Sequence, residues 1–292
     1  MGYSARYHAA SLAAVFLALA VGILIGAGLG DNLLSDTEEN LRESLEGDID
    51  KARGEAGELQ VQLDRERAFA SRAYPALVAD TLIGRRIGVL ALGDLPSEVS
   101  ANIEDALEPT GADLAAVAVV RLPPDAAALA ANLGPGFAGL EDDNGQLENL
   151  GRRLGSQFAA GTGKQLDKLR DQLFSRSSGE GGRLGGVILV RAPTGELDPA
   201  DQARADALAS GLVDGVAEAR KRAVAVERSD AEESSIRSFA PFEVATVDSI
   251  DLTSGRVALV FTLLGAEGNF GIKGTANSLL PELLQPSARG GR

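Results

Sequence analysis

The side chains able to do chemistry are few. The chain of 292 residues has one histidine, His8, one methionine, Met1, and no cysteine. Copper and zinc are held by thiolate, thioether and imidazole ligands, so His8 is the only candidate metal ligand of note. It sits just before a long apolar run and reads more simply as an interfacial residue near lipid headgroups. Nucleophilic catalysis needs a base beside the nucleophile. With His8 at the extreme N-terminal side, a Ser-His-Asp or Cys-His centre is excluded from the rest of the chain. The stretch AAGTGKQLD around Gly161 to Lys164 resembles part of a phosphate loop. That motif needs a glycine where Phe158 stands and Ser or Thr where Gln165 stands, and no strand precedes it. GNFGIKG, Gly268 to Gly274, lacks a strand-loop-helix setting as well and reads as a tight surface turn. The carboxylate pairs Asp142/Asp143 and Glu232/Glu233 lie in polar runs, which are usually solvated faces. No catalytic residue and no cofactor site emerges, and the chain reads as a non-enzyme.

The dominant element is the run from Ala9 to Gly30, AASLAAVFLALAVGILIGAGLG, which contains no charge. As a helix it crosses a hydrocarbon core of about 30 Å. Arg6 precedes it, and Asp31, Asp36, Glu38 and Glu39 follow it. Positive charge stays inside, so residues 1–8 are expected in the cytoplasm, 9–30 in the plasma membrane and the remainder outside. A cleaved secretory signal is the competing reading, but the run exceeds the usual h-region of about 7–15 residues. Ala10, Ala14, Ala18, Gly22, Gly26 and Gly30 recur every four residues. Small residues at this spacing let helices approach closely in lipid, which predicts a homodimer through this face.

Residues 31–74 read as a charged helical stalk. Leu45, Ile49, Ala52, Ala56, Leu59 and Leu63 alternate steps of four and three, the seam of a coiled coil. Gly47, Gly54 and Gly57 weaken the helix by up to about 1 kcal/mol each. The alternative is a lone amphipathic helix lying on the following domain. Pro75 is expected to end or bend the helix.

Residues 84–284 alternate strands and helices. RIGVLAL (Arg86 to Leu92), Leu114 to Val120, Gly185 to Val190, Ala223 to Glu227 and Val244 to Val247 read as buried strands. Helices are expected from Ser97 to about Pro109, over Asp198 to Lys221 with Asp198 as cap, and over Ser229 to Phe239. Gly255 to Leu264 is expected to be a helix capped by Thr253 or Ser254. Residues 125–182 read as a helical insertion that ends in a surface connection, Ser175 to Gly182. Residues 285–292 read as a disordered tail. The expected architecture is α/β: transmembrane helix, coiled-coil helix, then a doubly wound, mostly parallel sheet. Such sheets bind ligands at the carboxyl ends of their strands, here near Gly93, Arg121 and Arg191. The net charge of −14 argues against nucleic acid and against docking on anionic lipid.

The stretch YHAASLAAVFLALAVGILIGAGLGDNLL resembles the mycobacterial copper transport protein B family of actinobacteria. The likeness is strongest from Tyr7 to Leu34 and extends to RIGVLAL, to the order of elements and to the glycine-rich tail. It implies a single-pass envelope protein with a role in copper efflux or homeostasis. Copper is implied by the resemblance alone, since no Cys, Met or His lies beyond the membrane helix. The other expectation is a coiled-coil scaffold that recruits or regulates an envelope or cell-wall enzyme, with that protein as partner.

Overall fold

The computed structural model describes residues 3–282 except 180–181 and 220–221; the side chains of residues 3–6 and 27–40 are also outside the description. Two units divide the chain, Met1–Ala68 and Phe69–Arg292. The expected tail at 285–292 lies outside the described residues.

Helix α1 spans Tyr3–Val78. Within the first unit it carries Tyr7–Gly26, 20 residues with a mean hydropathy of 2.5, long and apolar enough to cross a membrane. Ala14, Ala18, Gly22 and Gly26 are exposed on it, and nothing lies within 4 Å of a Cβ built on Gly22 or Gly26. The surroundings of Gly30 fall outside the described residues. Further along, the ion pairs Arg42–Glu46, Lys51–Glu55 and Asp50–Arg53 link successive turns. Such exposed pairs stabilise a helix by tenths of a kcal/mol each.

In the second unit, Pro75, expected to end or bend the helix, does not end it: it lies inside the last turn of α1. A proline this close to the end removes one helical hydrogen bond, and burial offsets the loss. Val78 is fully buried, and Tyr74 is 5% exposed with its hydroxyl donating to the Ala106 carbonyl at 2.6 Å.

The sheet has seven strands: β1 (Arg86–Leu92), β2 (Asp113–Val120), β3 (Phe174–Gly179), β4 (Gly186–Arg191), β5 (Ala223–Val226), β6 (Ala245–Val247) and β7 (Asn269–Phe270). Their order is β3-β2-β1-β4-β5-β6-β7. Every pairing is parallel except β2 with β3. Strand order reverses between β1 and β4, as in a doubly wound sheet. Successive side chains alternate between faces. Leu90, Leu92, Val187 and Leu189 join one core, with α3 (Ala126–Leu133), α4 (Asn144–Ala160), α5 (Lys164–Leu173) and α6 (Pro199–Ala219). Ile87, Val89, Ile188 and Val190 join the other, with the end of α1, α2 (Ser97–Leu107) and α7 (Thr253–Leu264).

The helices α4 and α6 touch backbone to backbone. A Cβ on Gly155 would stand 2.1 Å from the Leu212 carbonyl oxygen, and one on Gly215 would stand 1.9 Å from that of Arg152. Gly151 and Gly211 make the same reciprocal contact one turn away, at 2.7 Å from Leu208 and 2.0 Å from Glu148. Arg152 Nε donates to Asp214 at 2.6 Å across the same contact.

Several expectations are corrected. The surface connection expected over Ser175 to Gly182 is, over its described first part, a strand: Phe174–Gly179 pairs antiparallel with β2 at the edge of the sheet. Its polar residues carry no apolar signal because only Phe174 is buried. Of Ser229 to Phe239, only Ile236–Phe239 is helical, as a short 3-10 turn. Thr253 and Ser254 do not cap α7; Leu252 holds the cap position, with no side-chain hydrogen bond. Asp198 does cap α6, its Oδ1 accepting from the Ala200 and Asp201 amides at 2.9 Å. Residue 221, the expected end of that helix, is outside the described residues.

Gly215→Ala must push α6 off α4, and a loss of about 2–3 kcal/mol is expected in denaturant titrations. Gly54→Ala, which has open space around it, should instead stabilise its helix by about 1 kcal/mol. Burial pushes the Tyr74 hydroxyl well above the ordinary tyrosine range. The folded state therefore favours the neutral phenol. That contribution is complete below the ordinary value of about 10 and is lost as pH rises past it. Tyr74→Phe should cost about 1–2 kcal/mol at neutral pH and flatten the alkaline loss of stability.

Candidate functional site

The carboxyl ends near the switch point are already committed within the chain. The Gly93 amide donates to the Val120 carbonyl at 3.1 Å. Arg121 Nη2 donates to the Phe174 carbonyl at 3.4 Å, and Arg191 pairs with Asp206. These groups close loops onto neighbouring elements and leave no converging set of free donors.

The charged constellation lies further along, after β5, β6 and β7. Glu227 follows β5 directly, and Asp248 follows β6. The loop leaving β7 carries Gly271, Ile272 and Lys273. Asp248 is 1% exposed. Its Oδ1 accepts from the Ile272 amide at 2.8 Å, and its Oδ2 accepts from the Lys273 amide at 3.0 Å. Gly271 has φ +137, and a Cβ there would stand 1.8 Å from Asp248 Oδ1, so the loop can wrap the carboxylate only with glycine at this position.

Lys273 Nζ donates to Glu227 Oε1 at 2.7 Å and to the Arg228 carbonyl at 2.9 Å. Ser234 Oγ donates to Glu227 Oε1 at 2.7 Å, and the Ser235 amide and hydroxyl donate to Oε2 at 2.8 and 3.1 Å. Both partners are withdrawn from water, with side chains 19% and 7% exposed. Arg228 beside them forms two 2.8 Å bonds with Asp230 and reaches Glu98 at 3.3 Å. The Asp230 hydrogen bond holds the Arg228 guanidinium more strongly protonated, and Arg228 holds the Asp230 carboxyl below its usual range. Asp251 accepts from the Ser229 amide and hydroxyl at 2.7 and 2.6 Å.

Chemically this arrangement is a clasp. Successive amides such as those of Ile272 and Lys273 make a nest of the kind that binds anions. Here the anion is Asp248 of the same chain. GNFGIKG is therefore not a plain surface turn: it contributes β7 and then grips the ends of β5 and β6. Lys164 opens α5 as an exposed residue following α4, without a strand before it. Asp143 caps α4 by accepting from the Gln146 amide at 3.1 Å, while Asp142, Glu232 and Glu233 are exposed.

The expected seam residues Leu45, Ile49, Ala52, Ala56, Leu59 and Leu63 are all helical and exposed, and His8 is exposed on α1. Among the described residues no group of three or more His, Cys, Asp or Glu could hold a metal ion. Sequence reasoning missed Glu227, Asp248 and Lys273. Their signal was a carboxylate ending each of two apolar strands, AVAVE and ATVD, with one lysine in a glycine-rich stretch. Removing the ammonium with Lys273→Met leaves a buried carboxylate uncompensated, and a loss of about 3 kcal/mol is expected in denaturant titrations. Glu227→Gln together with Lys273→Met should recover much of it.

Comparison with known proteins agrees with the resemblance carried by Tyr7 to Leu34. A family model described as "Copper transport outer membrane protein, MctB" matches residues 3–281. Proteins named "Copper transporter MctB" from Mycobacterium bovis and Mycobacterium tuberculosis are each 36% identical over 92 residues. That stretch is 31% of this chain and 29% of each relative, so the match spans under a third of the relatives' length. With nearly its whole length matched, this chain belongs to the MctB copper transport family.

Proposed function

We propose that the protein is a membrane-anchored, non-enzymatic component of copper homeostasis in the cell envelope. The observation that carries this is the family match over residues 3–281, joined to an N-terminal helix long and apolar enough to span a bilayer. The helix sits in the plasma membrane, with Arg6 on the cytoplasmic side and the acidic run from Asp31 onward outside. The family description names an outer membrane, where proteins cross as closed barrels. The sheet here is open, with β3 and β7 at its edges, and supports anchoring by the helix instead.

The protein contributes architecture and not copper ligands. Soft copper sites need thiolate, thioether or imidazole groups, and the chain offers His8 and Met1 alone. Copper-handling groups then come from a partner in the envelope. A second reading, favoured by the same poverty of ligands and by the acidic composition, is a scaffold that recruits or regulates an envelope enzyme.

The test is cell-associated copper in a strain lacking the gene, with and without its complement, under copper stress. Raised copper that the complement restores is the expected outcome. Unchanged copper with altered cell shape or wall would overturn it in favour of the scaffold.

A further inference from the structure

The stalk presents an exposed apolar seam. Leu45, Ile49, Leu59 and Leu63 are 52%, 49%, 66% and 44% exposed, and Ala52 and Ala56 between them are exposed too. With Ile49, Ala56 and Leu63 at a positions, Leu45, Ala52 and Leu59 fall at d. Gly47 and Gly54 then fall at f and Gly57 at b, all off the seam. Arg42 at a and Glu66 at d bound it, because each would face its own kind in a symmetric pair.

The flanking residues discriminate between partners. Asp48, Glu55 and Gln62 occupy g; Arg53, Gln60 and Arg67 occupy e. A parallel register sets each g residue beside the e residue five positions on in the opposing helix. Asp48 then meets the partner's Arg53, Glu55 meets the partner's Gln60, and Gln62 meets the partner's Arg67. One rung pairs opposite charges, and none pairs like charges. Among the described residues Asp48 makes no ion pair of its own. Arg53 reaches only Asp50, at 3.5 Å, with both side chains 78% exposed. So loose a pair contributes little and leaves Arg53 able to swing to the seam.

We propose that residues 45–63 zip against the same residues of a second copy, parallel and in register. Fewer than three heptads with two alanines make a weak zipper in free solution. Anchoring both copies in one membrane supplies the effective concentration that the contact lacks. The anchor also selects the direction, since two helices leaving the same face of a bilayer run parallel. The inference rests on the seam and its flanks and is independent of any role in copper handling.

A chain without cysteine allows a clean test in native membranes. Single variants Ile49→Cys and Leu59→Cys place thiols on the seam; Lys51→Cys and Gly54→Cys place them off it. Mild oxidation should give disulfide-linked dimers at the two seam positions and little at the others. Mixing Ile49→Cys and Leu59→Cys copies should give no mixed dimer. Asp48→Arg in the Ile49→Cys background should cut the dimer about tenfold, and adding Arg53→Asp should restore it. Absence of dimer at both seam positions, or equal yield at all four, overturns the proposal. Failure of the charge swap to restore crosslinking overturns the parallel register. Copper measured in the same strains reports separately on the proposed function.

Discussion

The close approach of α4 and α6 governs one whole face of the α/β unit. Four glycines, Gly151 and Gly155 on one helix and Gly211 and Gly215 on the other, bring main chain against main chain. Leu147, Leu150, Leu154, Leu208 and Leu212 flank the contact and are fully buried or nearly so. Helices normally lie 8–10 Å apart, according to the side chains between them. Removing those side chains lets the two act as one thick slab over β1, β2 and β4. Interiors this dense tolerate no added carbon without displacement. The N-terminal apolar run has the same spacing at Gly22 and Gly26, where nothing lies within 4 Å of an added Cβ.

How plainly each segment shows in the sequence tracks how strongly it is buried. RIGVLAL coincides with β1, and β2, β4, β5 and β6 fall within a residue of their apolar runs, whereas the two-residue β7 was read as part of a turn. Fully buried parallel strands are continuous apolar runs with sharp ends, so their limits are explicit. The edge strand β3 is the opposite case. Phe-Ser-Arg-Ser-Ser-Gly pairs through its backbone and faces water with its side chains, leaving no pattern to detect. The helix end at Val78 was obscured by Pro75, whose local preference lost to the tertiary burial of Tyr74 and Val78. Family likeness was legible at once, because the N-terminal apolar helix carries a specific string of small and apolar residues.

The site was less legible than the fold for a plain reason. Its parts, Glu227, Asp248 and Lys273, are separated by up to 46 positions and meet only because three parallel strands end side by side. None of the three stands in a known motif. Their partners are largely backbone amides, serine hydroxyls and one another. Such groups reveal themselves by geometry, whereas motifs reveal themselves by spacing. The carboxyl end of this sheet is spent on holding its own last loop, and the chain's open surfaces lie elsewhere, above all along α1.

The clasp also has a consequence in time. Ribosomes deliver the chain N-terminus first, and Glu227 is made 46 residues before the lysine that neutralises it. Asp248 precedes its amides by 24 and 25 residues. Until the Gly271–Lys273 loop emerges, two carboxylates destined for burial must stay hydrated, and β5 and β6 cannot settle against the core without stranding a charge. The closing contact of β5, β6 and β7 is thus made by residues that follow the carboxylates they hold by 24 to 46 positions. Segments that carry β5 and β6 therefore gain their packed state only when the residues that neutralise them are present, so the closing of this edge of the sheet is one cooperative event and not three successive ones.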